Sequence, residues 1–363
     1  FKNVADKNHP METVLTIIQG KGTLPREQAG RNIHYDDASL ANYKKVEQGD
    51  FIIHLRSFEG GLEMANEDGI VSPAYTILRC KKPHSSLFYE AYFHTDEFIN
   101  HILSKSVEGI RDGRQISYEA FKWLGLPYCD VSEQERIAQL FCTLSHRIEK
   151  QQQMVDALKK YKRGLFNQIF SAISKSSQCR KLRELVRVSG GKTPSMSNSL
   201  YWNGDIVWIS SKDMKSSRIS GSELKITNLA LNEMTLYHPG TLLLVARSGI
   251  LKHSLPLAIL EVDATINQDI KALQVHGCNA FYLYYAILSQ EDTIIRTLVK
   301  TGTTVQSLMM DSFLNIEIPT PDIDQQQRII DKLAKLEKYV EVQEKELSLL
   351  SQMRNGLLQQ LFI

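Results

Sequence analysis

Apolar residues recur in alternating steps of four and three along two stretches of the chain, from Ile137 to Leu165 and from Ile329 to Leu361, with charged residues between them. These steps average 3.5 residues, the period of a coiled-coil helix, and they last for about four heptads. A helix of about 35 residues would be about 50 Å long. That length disfavours an ordinary amphipathic helix packed on one domain, so the pattern predicts two long coiled-coil helices.

The rest of the chain alternates short apolar runs with polar turns. The runs "DIVWIS", "GTLLLVA" and "IKALQV" are typical of strands, and "AFYLYYAILSQEDTIIRTLV" predicts a helix followed by further helical turns. The predicted class is α/β, with one globule before each long helix. The predicted domains are globule 1 at 1–131, helix 1 at 132–170, globule 2 at 171–321 and helix 2 at 322–363.

The two halves of the chain repeat each other. "YKRGLFNQIF" matches "MRNGLLQQLF" with Gly164 on Gly356, an offset of 356 − 164 = 192, and "SEQERIAQL" matches "DQQQRIIDKL" at the same offset. "FYEAYF" matches "FYLYYA" at 193, and "QGDFIIHLRS" matches "PGTLLLVARS" at 191, which pairs Arg56 with Arg247. The segment "IIQGKG" matches "VSGGKT" at a smaller offset of 171. The first copy therefore lacks about twenty residues (191 − 171 = 20) between this segment and Gly49. The chain is therefore a tandem duplication.

Local sequence also predicts where the long helices begin. Ser132 is expected to cap the first helix with Glu135 at its third position, and Asp324 with Gln327 repeats that arrangement in the second. Both helices are thus expected to begin in the same register of the repeat.

Composition permits two cores of ordinary size, with 363 residues, 42% of them hydrophobic and 23% charged. No apolar run approaches the roughly 20 residues of a membrane span, and no secretory h-region opens the sequence, which begins at Phe1. The five cysteines form no CxxC pair. We therefore expect reduced thiols in a cytoplasmic protein.

The net charge of +2 does not by itself indicate a nucleic-acid partner, but the charge is unevenly distributed. Residues 1–132 carry 15 basic and 18 acidic residues, whereas residues 171–321 carry 15 and 12. The second globule is therefore the better candidate for contacts with phosphates.

No pattern typical of an enzyme occurs. "SGGKT" resembles the end of a phosphate-binding loop, but the first glycine of that motif would fall on Val186. Neither a zinc spacing nor a nucleophile elbow is found, and the ten histidines are scattered. An autonomous adenine methyltransferase would need a Gly-rich cofactor loop and an Asn/Asp-Pro-Pro-aromatic element, and both are missing. The sequence predicts neither a catalytic site nor a metal site.

Two divergent globules on near-identical long helices resemble the specificity subunit of Type I restriction-modification systems. The pieces that carry the resemblance are "GTLLLVARSG", "TINQDIKAL", "GTTVQSLMMDSFLNIEIPTPDIDQQQRI" and "LLQQLF". The first copy contains weaker versions of these pieces, and the first globule departs from the pattern in being shorter near its start and net acidic.

The resemblance implies an α/β fold in which two target recognition domains are separated by an antiparallel two-helix coiled coil with an internal pseudo-twofold repeat. It implies a non-catalytic subunit that reads a split sequence in double-stranded DNA. It further implies docking of two methyltransferase subunits, which use S-adenosylmethionine, and of restriction and translocase subunits through them. No cofactor bound by this chain itself and no membrane are expected.

The side chains expected to contact DNA are basic or hydroxyl residues in predicted loops. Arg56 with Ser57 and Arg247 with Ser248 occupy equivalent places in the repeat. The other candidates are Lys192, Lys212, Lys215, Arg218 and Lys252 in the second globule, and Lys21, Arg26 and Arg31 in the first. A solvated surface charge is the alternative for each lysine, and a structural ion pair for the two repeated arginines.

Two glutamines interrupt the apolar seams of the long helices at equivalent positions, since 151 + 192 = 343. Gln151 lies midway between Ile137 and Leu165, so antiparallel pairing about a twofold axis would bring it to Gln343 and fix the register. The alternative function is a coiled-coil assembly scaffold that binds only protein, which the acidic first globule favours slightly.

Overall fold

The computed structural model describes residues 1–29, 37–53, 62–108, 115–300 and 305–362. Its contacts divide the chain into two compact units of mixed α and β structure. Unit 1 comprises Phe1–Gln153 and Glu344–Ile363, and unit 2 comprises Met154–Gln343. Each unit therefore contains one globule together with parts of both long helices.

Among the described residues, unit 1 contains short strands, two short α-helices and short 3-10 and π helices ahead of its long-helix segments. The strands are β1 (Lys2–Val4), β2 (Leu15–Ile18), β3 (Gly22–Pro25), β4 (Lys44–Val46), β5 (Phe51–Ile53), β6 (Glu63–Met64), β7 (Gly69–Val71), β8 (Thr76–Arg79), β9 (Val107–Glu108) and β10 (Gln115–Ile116). The helices are α1 (Ser86–Phe93) and α2 (Tyr118–Phe121). The largest sheet has the order β1-β8-β5-β6 and is antiparallel, and three further pairs join β2 to β3, β4 to β7 and β9 to β10.

Aromatic rings form the core of unit 1. Phe51, Phe93 and Phe98 are buried with adjacent centroids 4.8 and 4.6 Å apart. The long helices contribute Phe141 and Phe362, whose rings stack at 6.1 Å. Burying such large side chains stabilises a fold by roughly 1.5–3 kcal/mol each, so these helix segments belong to the core of the unit.

Unit 2 is built on two sheets. Its strands are β11 (Cys179–Lys181), β12 (Val186–Gly190), β13 (Trp202–Ile209), β14 (Arg218–Ile219), β15 (Leu224–Ile226), β16 (Leu242–Val245), β17 (Leu257–Leu260), β18 (Ala264–Ile266), β19 (Ile270–Val275), β20 (Val299–Lys300), β21 (Ser307–Leu308) and β22 (Glu317–Pro319). The five-stranded sheet has the order β12-β19-β16-β17-β14 and the three-stranded sheet the order β15-β13-β18. Separate pairs join β11 to β22 and β20 to β21.

The predicted strands and helices of unit 2 are confirmed, since "DIVWIS", "GTLLLVA" and "IKALQV" fall on β13, β16 and β19. After α3 (Val131–Ser176), the first long helix, the helices are α4 (Asn228–Leu231), α5 (Ala280–Leu288), α6 (Glu291–Leu298), α7 (Met310–Phe313) and the second long helix, α8 (Ile323–Leu361). Helix α5 is almost wholly buried and packs with strands of the five-stranded sheet in one apolar core.

The segments of the two long helices in unit 1 run antiparallel. In unit 1 Arg147 lies 3.3 Å from Glu346, while the earlier Phe141 packs on the later Phe362. In unit 2 Lys162 lies 2.8 Å from Glu337. The predicted seam positions are buried or half-buried, as the 3.5-residue period requires, apart from the exposed Leu361.

The predicted caps were wrong, although the two helices do begin at equivalent positions of the repeat. Asp130 caps α3, because its Oδ1 accepts hydrogen bonds from the backbone of Ser132 and Glu133 at 2.9 and 3.2 Å. Asp322 caps α8 in the same way, accepting from the backbone of Gln325 at 2.7 Å. Each helix therefore begins ahead of the residue chosen from sequence.

The duplication preserves two buried polar contacts. Gln134 accepts a hydrogen bond from the Ser85 backbone at 2.9 Å and donates to the Cys129 carbonyl at 2.9 Å. Its equivalent, Gln326, accepts from the Asn279 backbone at 2.9 Å and donates to the Pro321 carbonyl at 2.9 Å. Each glutamine therefore joins the start of a long helix to the start of a globule helix, α1 or α5.

A second hydrogen bond, also present in both units, joins the globule helix to the segment just ahead of the long helix. The hydroxyl of Tyr89 donates to the Pro127 carbonyl at 3.1 Å, and that of Tyr282 donates to the Pro319 carbonyl at 2.7 Å. The tyrosines differ by 193 positions and the prolines by 192, in agreement with the sequence repeat. Both units thus fix the segment that leads into a long helix with the same hydrogen bond from a tyrosine hydroxyl to a proline carbonyl.

Candidate nucleic-acid interface

Polar loops converge at one end of the sheets in unit 2. Strand pairing puts Gly190 opposite Lys271, Val245 opposite Ile270 and Leu244 opposite Leu257. The end of β12, the start of β19, the end of β16 and the start of β17 therefore lie side by side. The end of β13 joins them because it runs parallel to β18. We call this surface the sheet end, and it comprises 191–193, 210–215, 246–254 and 267–269.

Lys192 reaches the sheet end through a close approach of two backbones. A Cβ on Gly191 would lie 2.0 Å from the carbonyl oxygen of Ile266, so only glycine permits this path. The next amide, of Lys192, donates to that carbonyl at 3.0 Å. The indole of Trp208 donates to the Lys192 carbonyl at 3.1 Å. The backbone of Lys192 is thus fixed while its side chain is exposed.

Arg247 and Ser248 follow β16 directly. The Ala246 amide donates to the Asp269 carbonyl at 2.8 Å, and the Ser248 amide donates to the Gln306 carbonyl at 3.1 Å. The Ser248 side chain accepts from the Ile250 backbone and caps a short 3-10 helix. Backbone bonds on both sides therefore hold Arg247, and its side chain is exposed.

Lys212 and Lys215 lie in the turn after β13. Asp213 organises this turn, because its carboxylate accepts from the Ser210 backbone and hydroxyl at 2.8 and 2.7 Å. The same carboxylate accepts from the Glu223 backbone at 2.9 Å. This acid is therefore occupied by hydrogen bonds inside the turn, and the two lysines beside it are exposed.

The sheet end carries positive charge that the neighbouring protein does not neutralise. Its exposed cations are Lys192, Lys212, Lys215, Arg247 and Lys252. Within the described ranges no carboxylate lies within ion-pair distance of any of the five. Cations held on rigid backbone without intramolecular partners suit phosphates and base edges.

Arg218 differs from the other predicted residues of this globule. Its guanidinium lies 3.0 Å from a carboxylate oxygen of Glu261 and 4.7 Å from the ring centroid of Phe281. These contacts engage its side chain away from the sheet end, since Glu261 follows the far end of β17.

Only some of the predicted DNA-contacting residues of unit 1 lie within the described part of the chain. Lys21 is exposed in the turn between β2 and β3, where Gly20 and Gly22 donate to the buried Glu63 carboxylate at 2.7 and 3.0 Å. Arg26 is half-buried with its guanidinium 5.9 Å from the Tyr43 ring. The remaining candidates lie outside the described residues, namely Arg31, Arg56 and Ser57.

Sequence reasoning missed several polar side chains at the sheet end. Thr193 and Gln268 are hydrogen-bonded to each other, and Asn267 and Asp269 complete the turn between β18 and β19. The available signal was the polar turn inside "TINQDIKAL", which separates two apolar runs. Glutamine and asparagine amides are the groups that read adenine edges in the major groove.

Neither a metal-binding cluster nor a membrane-spanning helix is present among the described residues. Among the described residues, no group of three or more histidine, cysteine, aspartate or glutamate side chains is arranged to hold a metal ion. No helix in the described part of the chain has the length and apolar character needed to cross a membrane.

The second half of the chain matches a known family. Residues 174–352 match the family model of the Type I restriction modification DNA specificity domain. This segment includes the whole sheet end of unit 2.

Two curated relatives have the same kind of name. The chain is 32% identical over 252 residues to the Type I restriction enzyme EcoR124I/EcoR124II specificity subunit of Escherichia coli, covering 66% of this chain and 62% of that protein. It is 30% identical over 197 residues to the MjaIX specificity subunit of Methanocaldococcus jannaschii, covering 53% and 45%. The chain thus spans about half to three fifths of the length of these relatives.

Solved structures show the same fold at low identity. A chain from a study of complex assembly in a type I R-M system superposes with a TM-score of 0.58 and 16% identity, covering 99% of this chain and 94% of that one. The S subunit from the Type I system of M. genitalium gives 0.58 and 15%, covering 96% and 94%. From the family match and the named relatives, we conclude that residues 174–352 belong to the family of Type I restriction modification DNA specificity domains, and that the chain shares the fold of a Type I S subunit.

Proposed function

We propose that this chain is the non-catalytic subunit that recognises DNA for a Type I restriction-modification complex. The observation that supports it most strongly is the sheet end of unit 2, where five exposed cations without carboxylate partners among the described residues surround a turn of amides. Electrostatic attraction to phosphates supplies most of the affinity of such surfaces. The family-model match over the same residues supports this assignment.

The side chains of the sheet end divide by chemistry. Arg247 can donate two parallel hydrogen bonds to the O6 and N7 atoms of guanine, while the exposed Gln268 can pair with the edge of adenine. Asn267 is buried and accepts a hydrogen bond from the Asp269 backbone, so it shapes the turn. Lysines such as Lys212 and Lys215 hold phosphates as point charges and carry no sequence information. The surface therefore contains groups for reading bases and groups for positioning the duplex.

We further infer that each globule acts as one target recognition domain, with domains at 1–131 and 171–321. The helices at 132–170 and 322–363 would form the antiparallel coiled coil that separates them. A spacer of about 50 Å exceeds one turn of duplex, about 34 to 36 Å, so the bases between the half-sites would go unread. The pseudo-twofold repeat suits two methyltransferase subunits, which would use S-adenosylmethionine and recruit the restriction and translocase subunits in the cytoplasm.

Selection from random duplexes tests the proposed function. We expect the full chain, with its methyltransferase partner, to enrich a split consensus of two short elements separated by unread bases. The matched control is the same selection with the variant Lys192→Ala/Arg247→Ala, which should retain one element and lose the other. A protein scaffold that does not read DNA would give no enrichment even at low salt, and that result would overturn the proposal.

The glutamines of the seam supply a second test, of the proposed coiled coil. Gln151 is 9% exposed and Gln343 is half-buried. A polar residue in a seam fixes register at some cost in stability. Replacing both with leucine should therefore raise the melting temperature by several degrees and relax the spacing accepted between half-sites. A double variant that melts at a lower temperature would contradict the proposed pairing.

A further inference from the structure

Unit 1 contains an open cavity of about 570 Å³ between α1 and the two long helices. Its walls include small residues, Ala91, Ala138 and Ser145, and the side chain of Arg354. Cavities of this size accommodate small organic ligands. All of its lining residues belong to unit 1.

The internal repeat shows what is missing from this cavity. The equivalents in unit 2 are Tyr284 for Ala91 (91 + 193), Ile330 for Ala138 (138 + 192) and Glu337 for Ser145 (145 + 192). Tyr284 and Ile330 are 5% and 8% exposed in the apolar core of unit 2. At these positions unit 2 thus has larger side chains than unit 1. Two of them carry functional groups that unit 1 lacks there, the phenol ring of Tyr284 and the carboxylate of Glu337.

The missing carboxylate is the most informative difference. In unit 2 one oxygen of Glu337 accepts a hydrogen bond from the Lys162 ammonium at 2.8 Å, and the other accepts from the Tyr285 hydroxyl at 3.0 Å. The cation is kept in unit 1, because Arg354 is the equivalent of Lys162 (162 + 192). Arg354 is half-buried, and its charge acts on the Glu90 carboxyl in the same wall, but no carboxylate of the described residues lies within ion-pair distance of it. A half-buried cation gains from a hydrogen-bonded anion of the kind that Lys162 has in unit 2.

Polar residues also replace apolar ones in the wall. Glu90 and His94 stand where unit 2 has the buried Leu283 and Ile287. His94 is engaged by unit 1 itself, since its Nε2 lies 3.5 Å from Glu63 and its Nδ1 lies 2.8 Å from the Glu90 carbonyl. Although burial alone would lower the pKa of His94, these two contacts raise it above its ordinary value.

The two acids in the wall do not oppose a bound anion at full strength. Burial raises the pKa of the Glu90 carboxyl above its ordinary value, although the charges of His94 and Arg354 act in the opposite direction. Glu149 is exposed and accepts a hydrogen bond from the Gln153 side chain at 3.2 Å. His146 and Cys142 also line the cavity, and both are exposed.

From this comparison of equivalent residues in the two copies, we propose that the cavity binds a small aromatic carboxylate. Its carboxylate contacts Arg354, and its ring occupies the space beside Ala91 and Ala138. Such a ligand restores to unit 1 the ring and the charge that Tyr284 and Glu337 supply in unit 2. A free molecule and adjacent aromatic and acidic side chains of a partner protein share this chemistry. The inference does not depend on DNA recognition.

Calorimetric titration of the full chain with 4-hydroxyphenylacetate tests the proposal. We expect saturable binding of one molecule at millimolar concentrations. Arg354→Gln should weaken it by about 10- to 100-fold, since it removes a charge-assisted hydrogen bond. Arg147→Gln is the matched control, because that arginine lies on the same helix pair but does not line the cavity, and it should leave binding unchanged.

Two variants that place larger side chains in the cavity test the proposal without changing Arg354. Ser145→Glu should abolish binding and raise the melting temperature, because it supplies the missing carboxylate, and Ala91→Leu should abolish binding by occupying the ring space. No saturable binding to the wild-type chain, or equal binding to the wild-type chain and Arg354→Gln, would overturn the proposal. Binding of tyramine, which has the ring with an ammonium group, in preference to the acid would also overturn it.

Assembly with the methyltransferase distinguishes the two sources of the ligand. If a partner side chain occupies the cavity, 4-hydroxyphenylacetate and Ser145→Glu should both weaken assembly. If the ligand is a free molecule, both should leave assembly unchanged while the direct titration still shows binding. DNA selection remains a separate readout, so failure of the cavity proposal and failure of the proposed function can be told apart.

Discussion

Replacing Gln326 with leucine should lower the free energy of unfolding by about 2–4 kcal/mol, since each buried group that loses its partner costs about 1–3 kcal/mol. The side chain is 2% exposed, and both ends of its amide are bonded. Leucine has a similar volume but leaves the amide of Asn279 and the carbonyl of Pro321 without these partners. The change therefore removes two hydrogen bonds without opening a large cavity.

Urea unfolding of the full chain, followed by tryptophan fluorescence, measures this effect. Trp202 and Trp208 pack against each other in unit 2 with ring centroids 5.1 Å apart, so they report on the unit that contains Gln326. Gln327→Leu is the matched control, because that exposed side chain donates a hydrogen bond to Asp331 on the helix surface and should change stability by less than about 0.5 kcal/mol. Equal losses for the two variants would show that the buried contacts contribute little.

The long helices could be predicted from sequence because a 3.5-residue period depends only on neighbours along one chain. The role of Gln134 and Gln326 could not, although both stand inside the matched segments "SEQERIAQL" and "DQQQRIIDKL". Their backbone partners Ser85 and Asn279 lie 49 and 47 residues earlier. A repeated polar residue in a helix start was the available signal, but only the fold supplies its partner.

The errors at the helix starts have a local cause. The segment "CDVSE" offers Asp130 and Ser132 as caps, and "PDIDQ" offers Asp322 and Asp324. Residues of these types cap equally well in isolation. The structure uses the earlier residue in both copies, so the error is the same in each.

The arrangement of the candidate DNA surface could not be predicted from sequence either, because it depends on the order of strands in the sheet. The repeat drew attention to Arg247, and basic composition drew attention to Lys192 and Lys212. Their convergence depends on the strand order β12-β19-β16, in which β19 is inserted between strands that precede it in sequence. Periodicity cannot give that order. The turn with Asn267 and Gln268 was missed because its importance comes from lying between those loops.

Changing Arg247 to alanine should weaken recognition of one half-site by about 1–3 kcal/mol and leave the other half-site unchanged. The physical reason is that its guanidinium stands on a backbone fixed by bonds from Ala246 and Ser248 and has no intramolecular carboxylate among the described residues. Binding to DNA therefore does not require Arg247 to break an ion pair with another described residue. The free energy that the alanine variant loses then belongs to the contact with DNA. Binding titrations on duplexes with either half-site altered measure the effect.

Two further variants separate a base contact from other roles. Lys252→Ala should weaken specific and random DNA equally and reduce the slope of log K against log salt by about 1, as expected for a phosphate contact. Arg187→Ala is the matched arginine control, because it lies near the opposite end of β12, across from Gln274, and should leave both half-sites unchanged. If Arg247→Ala weakens specific and random duplexes equally, Arg247 holds a phosphate. If it weakens neither, the sheet end is not the recognition surface.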